Sequence, residues 1–249
     1  MAKEKSTSAK AKKTTTKKAV VKKVVTKKKP LKKTITKKYL STELHKHDFR
    51  VTIFGSARIK KEDKLYKQVF QLAEEIGKEK IDIVTGGGPG LMAAGNAGHQ
   101  NGDKNHEADS IGLIIKLPFE AKSNKHLEIK KEFEKFSDRL DTFMALSHAI
   151  VVMPGGVGTC LELFYTWQLI QVGHMSPLPI ILVGKMWTKL MKWIKKYPVK
   201  DGLISPEDMK NVYVVKNNKQ AMKIIRKTRD MYEKDRINYW KKLKKYKLD

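Results

Sequence analysis

At 249 residues and 40% apolar, the chain can bury one sizeable α/β core, while a net charge of +27 sets it apart from ordinary globular chains. The single cysteine, Cys160, excludes an internal disulfide and fits a reducing cytoplasm. The seven histidines form no HExxH or paired-ligand spacing, so neither a catalytic metal nor a cofactor is expected.

The charge is uneven. Residues 1–40 hold sixteen lysines against one acid, Glu4, in runs such as Thr14-Thr-Thr-Lys-Lys18 and Thr34-Ile-Thr-Lys-Lys38. With no helical apolar period and no aromatic before Tyr39, this segment is expected to be a disordered basic tail. It is either a non-specific contact for nucleic acid through counterion release or a solubilising tail without a dedicated partner. Its short apolar stretches exclude a secretory signal, its lack of arginine argues against a mitochondrial presequence, and no membrane span follows.

Three times after the tail, an apolar strand runs into a glycine loop and then a helix. Arg50-Val-Thr-Ile-Phe54 leads to Gly55-Ser56-Ala57-Arg58, and Ile81-Asp-Ile-Val84 to Gly86-Gly87-Gly88-Pro89-Gly90. Ala149-Ile-Val-Val-Met153, a continuous run fit for a strand covered on both faces, leads to Pro154-Gly-Gly-Val-Gly-Thr-Cys-Leu-Glu162. In a parallel sheet such loops share the carboxyl edge, where ligands bind at the switch point. Gly155, Gly156, Gly158 and Thr159 then bring unpaired helix amides to an anion, with Gly55, Ser56, Gly87 and Gly88 from the other loops. A valine at Gly156 is expected to block this cradle and to meet a forbidden backbone angle.

Glu162 falls about one turn into the third helix, whose buried side is read as Leu161, Phe164, Leu169 and Val172. Leu65, Val69, Leu72, Ala73 and Ile76 give an earlier helix one apolar face. Ile111–Ile115 and Leu178–Val183 are further strands, so about five parallel strands are expected. Residues 187–197 form a packing helix. Past the strand ending at Ile115, Glu120 is either a ligand contact or an ordinary loop carboxylate. Asn217 to about Tyr246 reads as a basic amphipathic helix whose Met222, Ile225, Met231, Trp240 and Leu243 dock on the core or on a partner subunit. The expected fold is a Rossmann-like, doubly wound α/β sheet: one domain over residues 48–216, the tail at 1–40 and a packed helix at 217–249.

Phe54-Gly-Ser-Ala-Arg58, Thr85-Gly-Gly-Gly-Pro-Gly-Leu-Met92 and Pro154–Glu162 resemble, in order and spacing, the motifs of the LOG (Lonely Guy) family, whose members are often labelled possible lysine decarboxylases. The PGGxGTxxE pattern is matched at every fixed position, and the wording looks like the longer bacterial branch. The resemblance implies a phosphoribohydrolase that cuts the N-glycosidic bond of nucleoside 5′-monophosphates, AMP or cytokinin nucleotides, giving free base and ribose 5-phosphate. It also implies a homodimer or larger assembly with the site near the subunit interface. The family's arginine fifteen residues before the motif proline is matched by Arg139, while Leu140 stands where a lysine is usual and Leu161 where an acid is common.

The chemistry of the residues agrees. Cleavage of a ribosyl bond builds positive charge on the sugar, which a carboxylate at Glu162 can stabilise or use to activate water. Arg139 would orient the substrate and hold Glu162 ionised. Cys160 reads as a bystander. Two other classes compete. Gly88-Pro-Gly90-Leu-Met-Ala93 fits a loose dinucleotide fingerprint, but Lys116 rather than an acid follows the next strand. A non-catalytic nucleotide- or nucleic-acid-binding protein, related to DNA-processing proteins, would share the loops and the charge but has no use for a carboxylate beside its anion.

Overall fold

The computed structural model describes residues 33–34, 48–116 and 123–234, all within one unit spanning Leu31–Asp249. Eight parallel strands form one sheet: β1 (Lys33–Thr34), β2 (Arg50–Phe54), β3 (Asp82–Thr85), β4 (Ser110–Ile115), β5 (Ile129–Phe133), β6 (Ala149–Val152), β7 (Ile180–Val183) and β8 (Val212–Val215). The helices are α1 (Lys64–Lys78), α2 (Leu91–Gly102), α3 (Phe136–Leu146), α4 (Val157–Gln171), α5 (Lys185–Ile194) and α6 (Asn218–Lys234).

The spatial order β1-β5-β4-β3-β2-β6-β7-β8 places the switch between β2 and β6. The chain winds outward from β2 to β5 on one side, then crosses back to lay β6 against β2, pairing Phe54 with Val152. Loops after β2 and β6 therefore open into the same crevice.

Strand alternation divides the core. Val51, Ile53, Ile83 and Val151 turn toward α1, α2 and α6, and Val84, Leu113, Ile150 and Val152 toward α3, α4 and α5. Both faces are covered, which is why the central strands read as unbroken apolar runs. The expected face of α1 holds, with Val69, Leu72, Ala73 and Ile76 buried.

Several expectations are revised. β5 and β8 extend the five expected strands; β5, Ile-Lys-Lys-Glu-Phe, buries only its end residues and has the charged middle of a strand near a sheet edge. β1 lies inside the segment expected to be wholly disordered: Lys33 and Thr34 align with Ile129 and Lys130. Main-chain pairing asks little of side-chain hydrophobicity, so a lysine and a β-branched residue can extend an open edge. The rest of residues 1–40 lies outside the described residues.

The buried side of α4 is Thr159, Leu163, Thr166 and Trp167, whereas Leu161, Phe164 and Val172 are exposed. This helix is apolar nearly all round, so periodicity could not choose its face. In α6, Met222 and Ile225 are buried as expected, but Met231 is exposed and Tyr232 packs instead, against Phe49 and His148. Trp240 and Leu243 lie outside the described residues. Among the described residues, no helix is long and apolar enough to cross a membrane.

Candidate active site

The three glycine loops meet. Ser56 N–H donates to Pro154 O at 3.3 Å, and Leu91 N–H donates to Ser56 O at 2.9 Å, so the loops after β2, β3 and β6 are joined by backbone hydrogen bonds. Such closeness demands glycine at Gly90: its φ is +65°, and a Cβ there would come within 2.5 Å of Ser56 O.

The third loop opens onto the N-terminus of α4. The first intrahelical bond runs from Cys160 N–H to Gly156 O at 3.0 Å, so the amides of Val157, Gly158 and Thr159 precede it. Gly156 occupies the N-cap position and no side chain caps it. Those amides and the helix dipole give this end of α4 the chemistry of an anion cradle. Thr159 is buried, its Oγ1 only 2.1 Å from where a Cβ on Gly155 would sit, so Gly155 and Thr159 are packed as a unit. Gly156 and Gly158 face open space. Gly156 has φ −95°, accessible to any residue, so the expected forbidden angle is corrected; only the occluding effect of a side chain remains.

Arg139 and Glu162 come together beside this cradle. Arg139, in the first turn of α3, is 8% exposed and not a surface arginine. Its Nε donates to Leu113 O of β4 at 2.7 Å, its guanidinium lies 5.2 Å from the Phe143 ring centre, and Gly86 leaves it room, since a Cβ there would approach Nη2 to 2.4 Å. Arg139 Nη1 and Glu162 Oε1 are 3.8 Å apart, an ion pair longer than a hydrogen bond. Burial pushes the Glu162 carboxyl up to about 7, with Arg139 pulling the other way. Arg139 favours the ionised form, as expected of it, but desolvation outweighs that attraction. A carboxyl poised near neutrality can exchange a proton during a reaction.

Gly87 and Gly88 are buried and gripped by a residue the sequence did not single out. Asn124 N–H donates to Gly87 O at 2.9 Å, and Asn124 Nδ2 lies 3.0 Å from Gly87 O, 3.1 Å from Gly88 O and 3.0 Å from Asn96 Oδ1. Asn96 in turn bonds Thr85 and Ser110. An isolated asparagine in an irregular stretch carries no local signal; its role exists only where β4 lies beside β3. Leu140 is buried in the core, and Leu161 is exposed on α4. Glu120 lies outside the described residues. Among the described residues, no three His, Cys, Asp or Glu side chains gather as a metal site.

The family model for possible lysine decarboxylases matches residues 92–225, just over half of the chain. The chain belongs to this family, the LOG family. A pyrimidine/purine nucleotide 5′-monophosphate nucleosidase of Escherichia coli is 31% identical over 143 residues, covering 54% of this chain and 30% of the relative, so the chain spans under a third of that relative's length. A cytokinin riboside 5′-monophosphate phosphoribohydrolase of Arabidopsis thaliana is 26% identical over 178 residues, covering 70% of this chain and 79% of its own. The molybdenum cofactor carrier protein of Chlamydomonas reinhardtii superposes with a TM-score of 0.55 at 16% identity, covering 74% of this chain and 99% of its own, a likeness of fold. In this LOG protein the family match spans Arg139 and Glu162, while the first two glycine loops lie ahead of it.

Proposed function

We propose that the chain is a nucleoside 5′-monophosphate phosphoribohydrolase, releasing free base and ribose 5-phosphate from AMP or cytokinin-type nucleotides. The observation that carries this reading is the ion pair of buried Arg139 with largely enclosed Glu162 beside an uncapped helix N-terminus, where three glycine loops meet. The 5′-phosphate sits on the amides at the start of α4 and on the loop of Gly55 and Ser56. Water adds to C1′ as the C1′–N bond breaks; the Glu162 carboxylate stabilises the oxocarbenium-like sugar and accepts the proton of the attacking water, and the base departs with the C1′–N electron pair and takes up that one proton in turn. Arg139 orients the nucleotide against Gly86 and keeps a positive charge facing that carboxylate. The names of the bacterial and plant relatives support the same chemistry.

Incubating the purified protein with a panel of nucleoside monophosphates tests this reading. Free base and ribose 5-phosphate are expected in equal amounts. Nucleotide binding without release of base from any member would favour the non-catalytic alternative, in which the cradle only holds its ligand.

The assembly we propose is a homodimer or a larger homo-oligomer. It is supported by the exposed apolar stripe Val157, Leu161, Phe164 and Val172 along the outer side of α4, a face a lone chain leaves in water. A cytoplasmic location accords with the single cysteine.

The tail of residues 1–40 is proposed as a separate, non-specific nucleic-acid contact. Deleting Met1–Pro30, which stops short of β1, is expected to leave nucleotide hydrolysis nearly unchanged while sharply weakening DNA and RNA binding. Hydrolysis lost from a folded truncated protein would refute the separation.

A further inference from the structure

Helix α6 divides its cations between two tasks. Arg226 binds Glu79 at 2.6 Å and Glu75 at 3.8 Å, and Arg229 binds Glu79 at 2.7 Å, so both arginines fasten the helix onto α1. Lys219, Lys223, Lys227 and Lys234 are exposed, and no ion pair holds them among the described residues. Helical spacing puts these four within about 80° of arc, about 6 Å apart along the axis for each four residues, in a stripe about 22 Å long. A groove of about 850 Å³ runs beside it, lined among the described residues by these lysines with Asn217, Gln220, Arg226 and Met231. A single acid, Asp230, interrupts the stripe among the described residues.

We infer that this groove is a docking surface for the phosphodiester backbone of a nucleic acid, distinct from the nucleotide site and built on the folded domain. Its chemistry is that of a polyanion site: the lysine heads act as point charges for phosphate, while their apolar stems and Met231 line the groove between them. The apolar side of the helix, Ala221, Met222 and Ile225, is fully buried in the domain, so α6 has no hydrophobic face to lay into a lipid surface. A groove longer than one nucleotide, with amide side chains at one end, fits a strand.

Position separates the two sites. α6 packs on the face of the sheet covered by α1 and α2, whereas Arg139 and Glu162 are carried by α3 and α4 on the other. A strand bound along α6 leaves the nucleotide site open, and this inference holds or fails independently of the hydrolase reading.

The test uses the full-length protein with labelled 20-nucleotide single-stranded DNA and RNA, measuring affinity by anisotropy from low to moderate salt. Lys219→Gln, Lys223→Gln and Lys227→Gln together are expected to weaken binding about tenfold and to reduce the slope of log affinity against log salt by about two. Hydrolysis and melting temperature stay at the wild-type values. Lys223→Gln alone reduces the slope by about 0.7. The control removes the same charge from α5, with Lys185→Gln, Lys189→Gln and Lys192→Gln, and leaves affinity near wild type. Equal losses from both triple variants would reduce the effect to overall charge and overturn the groove. So would wild-type affinity in the α6 variant, or loss of its binding to phosphatidylserine vesicles with nucleic-acid binding intact.

Discussion

Glu162→Gln is expected to lower turnover by on the order of 100-fold or more while preserving the fold and nucleotide binding, the scale for a positioned acid–base group. Glutamine is close to isosteric and removes only the proton-exchanging group from a site where Arg139 Nη1 lies 3.8 Å from Glu162 Oε1. Steady-state kinetics on the nucleotide that the panel identifies would decide it, and turnover like the wild type would remove Glu162 from the mechanism.

The same variant has a pH signature. Burial raises the Glu162 carboxyl from 4.5 to about 7, and the proposed chemistry needs the carboxylate. Therefore kcat/KM is expected to rise with pH through about 7 and then level off, a limb the glutamine variant lacks. Stability moves the other way. A carboxyl that binds its proton more tightly folded than unfolded stabilises the native state below 4.5, and this contribution is lost as pH climbs to about 7. The glutamine variant should thus melt above the wild type at about pH 8, with the gap closing toward about pH 5.

Nucleosides lacking the 5′-phosphate are expected to react on the order of a thousandfold more slowly in kcat/KM, since two or three charge-assisted hydrogen bonds at the start of α4 are lost. Equal rates on nucleoside and nucleotide would refute the anion cradle. The loop itself allows a sharper check. Gly156→Val faces open space at an ordinary backbone angle, so it should keep its melting temperature while raising KM for nucleotide steeply. Gly155→Ala drives a methyl into Thr159 and should cost stability as well. Identical behaviour of the two variants would mean that the loop acts only as a turn.

Much of this was legible in one dimension because the signals are local. The runs at 50–54, 81–84 and 149–153 are apolar because strands covered on both faces have no polar side, and glycine is needed where the loops approach one another, as at Gly90. Arg139 could be set beside Glu162 only through the resemblance to the LOG motifs, in which an arginine precedes the motif proline by that distance. β5, with lysines and a glutamate in its middle, carried no such signal, nor did β1, whose pairing comes from the open edge beside it.

What the sequence by itself determined was the class of fold, the three glycine loops and the helix that starts at the end of the third, since each depends on a few neighbours along the chain. Tertiary structure decided which side of α4 is buried, that Arg139 is enclosed between Gly86 and the carbonyl of Leu113, and that Asn124 grips the second loop. It also decided the balance at Glu162, where desolvation outweighs its arginine. The physical reason is common to these cases: burial and electrostatics depend on which distant segments share a volume, and an almost wholly apolar helix or a lone asparagine holds no record of that along the chain.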